Sequence, residues 1–266
     1  MRFPAIGISL SGHSPGNCQV SNYGLAGSHR EPFSGKEVVT NEPYADVRDM
    51  YMAHTMFRRE FGMLPELIDG VGAGDAVRAQ TIAQHFELIH TVMVHHHQAE
   101  DEYLWPRIRQ RAGSDGAHIA AAMEAQHGEI DKAIADLEAV LPSWRETGDL
   151  AQAAVLADAA RRLASLLAEH FTAEEEQALP LVERFVTAAE WGQMVAAGAE
   201  GIAPEQMPLL FGLMTYEGDP EVVQLAIDQM PPEIRTVLPA LAGDAFAQHA
   251  AVVYGTATPA RSNELR

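Results

Sequence analysis

The sequence predicts an all-α fold: an up-down-up-down four-helix bundle with an additional C-terminal helical segment. Three observations carry that expectation. Apolar residues recur at three-and-four spacing through four long stretches. Short polar loops join the stretches, which forces antiparallel neighbours. No alternating strand pattern competes with them. The 266 residues, 47% apolar and 21% charged, are globular in composition and sufficient for a sizeable core.

Residues 1–42, rich in Gly, Ser, Asn and Pro, read as a flexible leader in which His13 and His29 are solvent-exposed. The first bundle helix follows Pro43 and aligns Val47, Met50, Tyr51, His54, Phe57, Phe61 and Leu64 on one face, with Gly62 and Pro65 expected to weaken its end. The second, about 75–111, is capped at Asp75, carries Ile82, Phe86, Ile89, Met93, Tyr103 and Leu104, and is closed by Gly113 to Gly116. The third, about 117–141, presents Ile119, Met123, Ile130, Ile134 and Leu137 before Pro142. After Gly148-Asp149 the fourth buries Leu156, Leu163, Leu166, Leu181 and Phe185. The bundle is thus expected over 43–190. From 199 to 256, Met-Pro and Pro-Pro steps chop the chain into shorter helices, one opening at Asp219-Pro220-Glu221. This appendage is expected to cover one end of the bundle or to offer a surface to a protein partner or a second copy.

Charge and cysteine content narrow the function. Eighteen Lys and Arg against 37 Asp and Glu leave a net charge of −19, a field that repels phosphate backbones and anionic membranes, so neither nucleic acid nor membrane is expected as a partner. No window is long and apolar enough for a membrane span, and Met1 to Leu10 is a poor signal peptide, so a cytoplasmic location is expected. A single cysteine, Cys18, supplies neither a disulfide nor a thiolate cage, so a metal site must use nitrogen and oxygen donors. Twelve histidines are present, seven of them between His85 and His127.

Helices two and four share the text His-x-x-x-Glu-x-x-x-x-x-Pro, as His96, Glu100, Pro106 and as His170, Glu174, Pro180. Residues four apart stack on one helix face, so each pair can aim at one point on the bundle axis. On a helical wheel His96 and Glu100 fall within about 40° of the apolar stripe, while His95 points away and His97 with Asp101 sits to one side as the runner-up pair. His54 and His127 lie on the inner stripes of helices one and three. Four imidazoles and two carboxylates converging in a dry core suit two borderline transition metals, and two unpaired buried glutamates would otherwise destabilise the fold. Asp131 is a further ligand, a hydrogen-bond acceptor for an imidazole, or a rim carboxylate. Glu124 before His127 and Glu87 before His90 mimic a Glu-x-x-His motif, but Glu87 lies on a polar face. His85, about 16 Å along the helix from His96, lines an access path or packs. His90, His118 and His249 are expected at the surface or rim, and Glu175 and Glu176 on a solvated face.

On these residues the chain resembles the hemerythrin-like, HHE cation-binding family over about residues 43–190. The resemblance implies a centre of two non-haem iron ions held by His54, His96, Glu100, His127, His170 and Glu174. It also implies binding of, or reaction with, oxygen, peroxide or nitric oxide, in sensing, detoxification, stress response or limited redox catalysis. An iron-handling or iron–sulfur-cluster repair donor, and a regulatory module with a structural metal, are the alternatives. Two departures are visible. Oxygen-carrying members place His-x-x-x-His on the third helix, where His127 is followed four residues later by Asp131, so one nitrogen is missing or replaced. The fourth-helix carboxylate also follows its histidine by four residues rather than five.

Overall fold

The structure is a computed structural model and describes residues 42–228, 230 and 232–264; the expected leader, apart from Glu42, lies outside them, as do Cys18, His13 and His29. Four long helices form the bundle: α1 (Arg48–Asp69), α2 (Ala76–Ala99), α4 (Gly113–Glu138) and α6 (Leu150–Ala173). Two short helices, α3 (Trp105–Arg111) and α7 (Leu179–Phe185), continue α2 and α6 beyond one wide π-turn each, Glu100–Leu104 and Glu174–Ala178. The small helix α5 (Leu141–Thr147) joins α4 to α6. No strand interrupts the helices among the described residues, where the one extended pairing is the isolated bridge Tyr44–Thr187.

The core explains the antiparallel order. Its apolar residues form two clusters, one holding Phe57, Phe61, Phe86, Met93, Ile130 and Phe171, the other Met50, Leu104, Trp105, Met123, Leu179 and Val182. Along α1 the chain passes from the second cluster at Met50 to the first at Phe57; along α2 it runs from the first at Met93 to the second at Leu104. The same alternation recurs from Met123 to Ile130 in α4 and from Phe171 to Ala178 through α6. The bundle therefore runs up, down, up, down. On every helix the crossing point between the clusters is occupied by His54, His96 to Glu100, His127 or His170 to Glu174.

Local chemistry sets the ends. Asp75 accepts from the Arg78 amide at 2.9 Å and Asp149 from Gln152 at 2.9 Å, capping α2 and α6. Gly148 turns the chain at φ +58°, and a Cβ there would meet the Asp75 backbone at 2.8 Å, so the two loops close against each other. Three expectations need correction. Pro65 lies within an unbroken α1. Gly113 opens α4 rather than closing the preceding helix, and at Gly116 a Cβ would lie 2.8 Å from the Ile108 carbonyl, so this glycine lets α4 press on α3. Helix three ends at Glu138, and Leu141 to Thr147 form α5, with Pro142 placed in its first turn where its missing N–H costs nothing.

Beyond α8 (Ala188–Gly198), the C-terminal segment contains α9 (Met207–Thr215), α10 (Pro220–Asp228), α11 (Pro232–Arg235) and α12 (Leu238–Tyr254). Helices α9 and α12 cross closely at Gly212, whose Cβ position lies 2.4 Å from the Ala242 carbonyl. They dock on α1 and α2 through Leu210, Leu213, Phe246, Ala250 and Val253, which join the first apolar cluster, and through polar contacts. Fully buried Arg59 reaches Glu60 at 2.6 Å, Glu217 at 3.1 Å and the Leu213 carbonyl at 2.9 Å. Arg78 donates to the Val252 and Val253 carbonyls at the end of α12. Among the described residues, no helix is long and apolar enough to cross a membrane.

Candidate metal centre

The crossing point of the four helices gathers seven side chains: His54 from α1, His96 and His97 from α2, Glu100 and Glu174 from the π-turns, His127 from α4 and His170 from α6. They fall into two groups. His97, His127 and His170 offer three imidazole nitrogens within 4.8 Å of one another; His54, His96, Glu100 and Glu174 offer two nitrogens and two carboxylates within the same span. Six of the seven are buried, and His96 keeps only 14% of its side-chain surface exposed.

Their polar atoms converge on common centres. The Nε2 atoms of all five histidines and both oxygens of Glu100 and of Glu174 are buried without a hydrogen-bond partner, nine atoms in all. Carboxylate oxygens stand 3.2 Å from His54 Nε2, 3.1 Å from His96, 3.4 Å from His127 and 3.8 Å from His170. Donors about 2.1 Å from a shared ion, separated by 90–109°, would lie about 3.0–3.4 Å apart. Left unpaired, buried polar groups cost about 1–3 kcal/mol each, so the donor set and its spacing fit metal ions.

Each glutamate is placed by a π-turn. The Trp105 amide bonds back to the Glu100 carbonyl and the Leu179 amide to the Glu174 carbonyl, five residues apart in both repeats. Pro106 and Pro180 lack an N–H and crowd the carbonyl four residues earlier, so the helix opens one turn upstream instead of breaking. The widened turn lets two successive acids reach one imidazole. Glu100 faces Nε2 of His127 while Asp101 takes its Nδ1 at 2.9 Å; Glu174 faces Nε2 of His54 while Glu175 takes its Nδ1 at 2.9 Å. His170 Nδ1 instead meets the amide oxygen of Gln126 at 3.1 Å.

These neighbours set the protonation of the metal-free site. Burial opposes charge on His54, yet Glu174 and Glu175 outweigh it and hold its pKa at about 9. Burial is likewise outweighed at His127 by Asp101 and Glu100, which hold it at about 10. Glu100 is pushed up to about 7 by burial and then by the Glu174 charge. Burial also raises Glu174, but His54, His170 and His127 bring it below the usual carboxylate range. Burial, reinforced by neighbouring imidazolium charge, keeps His96 and His97 neutral far below the ordinary histidine range and carries His170 to about 3. Two protons on His54 and His127 thus balance the carboxylates where cations would.

All six sequence-predicted residues meet here, joined by a seventh that the wheel set aside. His97 is buried and stacks on His127 at 4.1 Å. A helix facing two neighbours at once can commit His96 to one group and His97, about 100° further round, to the other. The run His95-His96-His97 was the available signal. Its former partner Asp101 is half exposed and serves His127. Asp131 is exposed and holds none of the imidazoles. Glu175 is half-buried rather than on a solvated face, clamped by Arg58 at 2.7 and 3.1 Å. His249, expected at the surface or rim, is half-buried against His85 at 3.1 Å, and His85 itself packs in a polar network.

Comparison with known families decides the lineage: the Hemerythrin HHE cation binding domain matches residues 45–182. The chain belongs to the hemerythrin HHE family. Its bundle is accordingly a cation-binding domain of a kind that typically holds iron, and the seven side chains lie inside or at the edges of the matched helices. No curated protein and no solved structure matched the chain.

Proposed function

We propose that this hemerythrin-family chain is a non-haem di-iron protein that binds or reacts with oxygen, peroxide or nitric oxide. The observation that carries the reading is the set of nine buried, unpartnered donor atoms, five imidazole nitrogens and four carboxylate oxygens. Glu100, 3.1 Å from His96 and 3.4 Å from His127, and Glu174, 3.2 Å from His54 and 3.8 Å from His170, would help to hold both ions. His97, His127 and His170 would hold one ion, and His54 with His96 the other. The His97 imidazole restores the fifth nitrogen that the third helix lacks. Bound iron would supply redox chemistry and a place for a small ligand to bind.

The surroundings suit small uncharged ligands. Phe171 stacks on His54 at 4.4 Å and Phe57 lies 5.3 Å from His96, an apolar wall that excludes bulk water from this side. His96 is the most exposed member of the set and marks the nearest solvent.

The test is anaerobic loading of metal-free protein with ferrous iron, followed by exposure to nitric oxide, oxygen and hydrogen peroxide in separate samples. Two irons per chain and a ligand-dependent near-ultraviolet or visible absorption change are expected. Stoichiometric zinc with no iron uptake, or bound iron that ignores all three reagents and passes wholly to a weak chelator, would overturn the reading in favour of a structural site or an iron donor.

A further inference from the structure

The two repeats extend two residues beyond the pairs that define the metal centre. Each reads Ala-Glu-acid-Glu: Ala99 to Glu102 in the first and Ala173 to Glu176 in the second. The first Glu is a donor atom source; the next acid, Asp101 or Glu175, turns to the far nitrogen of a histidine on a neighbouring helix at 2.9 Å. The third acid, Glu102 or Glu176, is exposed.

We infer that Asp101 and Glu175 are positioning residues, one for each metal ion, a conclusion that rests on the di-metal reading above. Asp101 serves His127 in the three-imidazole group, and Glu175 serves His54 in the two-imidazole group. A carboxylate that accepts the Nδ1–H fixes the ring so that the Nε2 lone pair faces the ion, and makes the imidazole a stronger donor. The two arms differ in stiffness. Glu175 is locked by both guanidinium nitrogens of Arg58, which itself lies over the Phe171 ring that stacks on His54. Asp101 keeps 43% of its side-chain surface exposed and has no such clamp.

Ferrous iron titrated anaerobically into the full chain tests this. Asp101→Ala is expected to weaken one of the two irons by about 10- to 100-fold and to leave the other near the parent affinity; Glu175→Ala is expected to do the same to the other iron. The exposed neighbours supply controls, Glu102→Ala and Glu176→Ala, which should bind like the parent. A second readout separates positioning from packing. In the zinc-loaded protein, the Nδ1–H proton of His54 should resonate far downfield and move upfield in Glu175→Gln alone, and that of His127 in Asp101→Asn alone. If an alanine variant loses helical circular dichroism, these near-isosteric variants carry the decision. Unchanged affinity in both alanine variants, or Nδ1–H resonances that do not respond selectively, would overturn the inference. A parent chain that takes up no metal would instead overturn the di-metal reading.

Discussion

Helices α1 and α2 each pass through two buried clusters of histidine and carboxylate, and the clusters are built to opposite rules. In one, Glu60 accepts from the Tyr254 hydroxyl and lies 3.2 Å from His85 Nε2, His85 Nδ1 meets His249 at 3.1 Å, and Arg59 is spent on Glu60, Glu217 and a carbonyl. In the other, nine donor atoms have no partner. Both are largely buried. Burial and composition therefore do not distinguish the two clusters; a converging set of donor atoms left without hydrogen bonds does, because buried polar groups are usually paired and such a set leaves room for an ion. The satisfied cluster holds the C-terminal helices to the bundle, and burial together with Glu60 raises the Tyr254 hydroxyl far above its ordinary range, keeping it a donor.

The sharpest way to break this contrast is to remove one carboxylate from each cluster in metal-free protein. Glu60→Ala strips His85 and Tyr254 of their acceptor and Arg59 of its nearest counter-ion, and is expected to cost about 3–5 kcal/mol in denaturant unfolding. Glu100→Gln at pH 8 should be neutral or stabilising, since burial penalises the charged form it removes. Comparable losses in both variants would erase the distinction.

Metal should reverse the ranking. Free ferrous iron at about 100 times its Kd is expected to stabilise the parent by about 2.7 kcal/mol per site, read as a rise in Tm. Glu174→Ala and His97→Ala should each lose part of that rise together with bound iron, whereas Asp131→Ala should keep both. An unchanged iron count in Glu174→Ala would count against the donor set.

A further effect lies in pH. Metal-free His54 and His127 have folded pKa values of about 9 and 10, raised from an unfolded value near 6.5. Their contribution is full below about 6.5 and is lost as pH rises through those folded values. Glu100, raised to about 7, adds loss of the same sign between about pH 4.5 and 7. Metal-free stability should thus decline toward alkaline pH, less steeply in Glu100→Gln, while iron-loaded protein, its imidazoles already deprotonated, should show a flatter profile. A metal-free protein that gained stability from pH 7 to 10 would contradict this charge assignment. The smallest change is expected at the exposed pair Arg145–Glu87, 2.8 Å apart, where Arg145→Ala should shift unfolding by no more than about 1 kcal/mol.

Much of the centre was legible in the chain because helical periodicity is local. His96 and Glu100, or His170 and Glu174, share a face by spacing alone, and the repeat announces itself. His97 was not legible, since a wheel assigns each helix one inner direction and α2 faces two neighbours here. Glu175 was hidden for a related reason. In a regular helix it falls beside Glu174 on the wet side, and the π-turn that brings both acids to His54 arises only when Pro180 is accommodated within a packed bundle.

By itself, then, the sequence determined four amphipathic helices, their antiparallel order through short loops, and an inward belt of histidine and glutamate, because those features depend on residues three, four and six apart. Tertiary packing decided the rest: which of three consecutive histidines turn inward, which acids enter the buried centre and which meet a far imidazole nitrogen, and that His85 and His249 belong to a hydrogen-bonded latch. Each of those depends on the partner that a side chain meets on another helix, up to 194 residues away for Glu60 and Tyr254. A contact of that kind leaves no periodic trace along the chain.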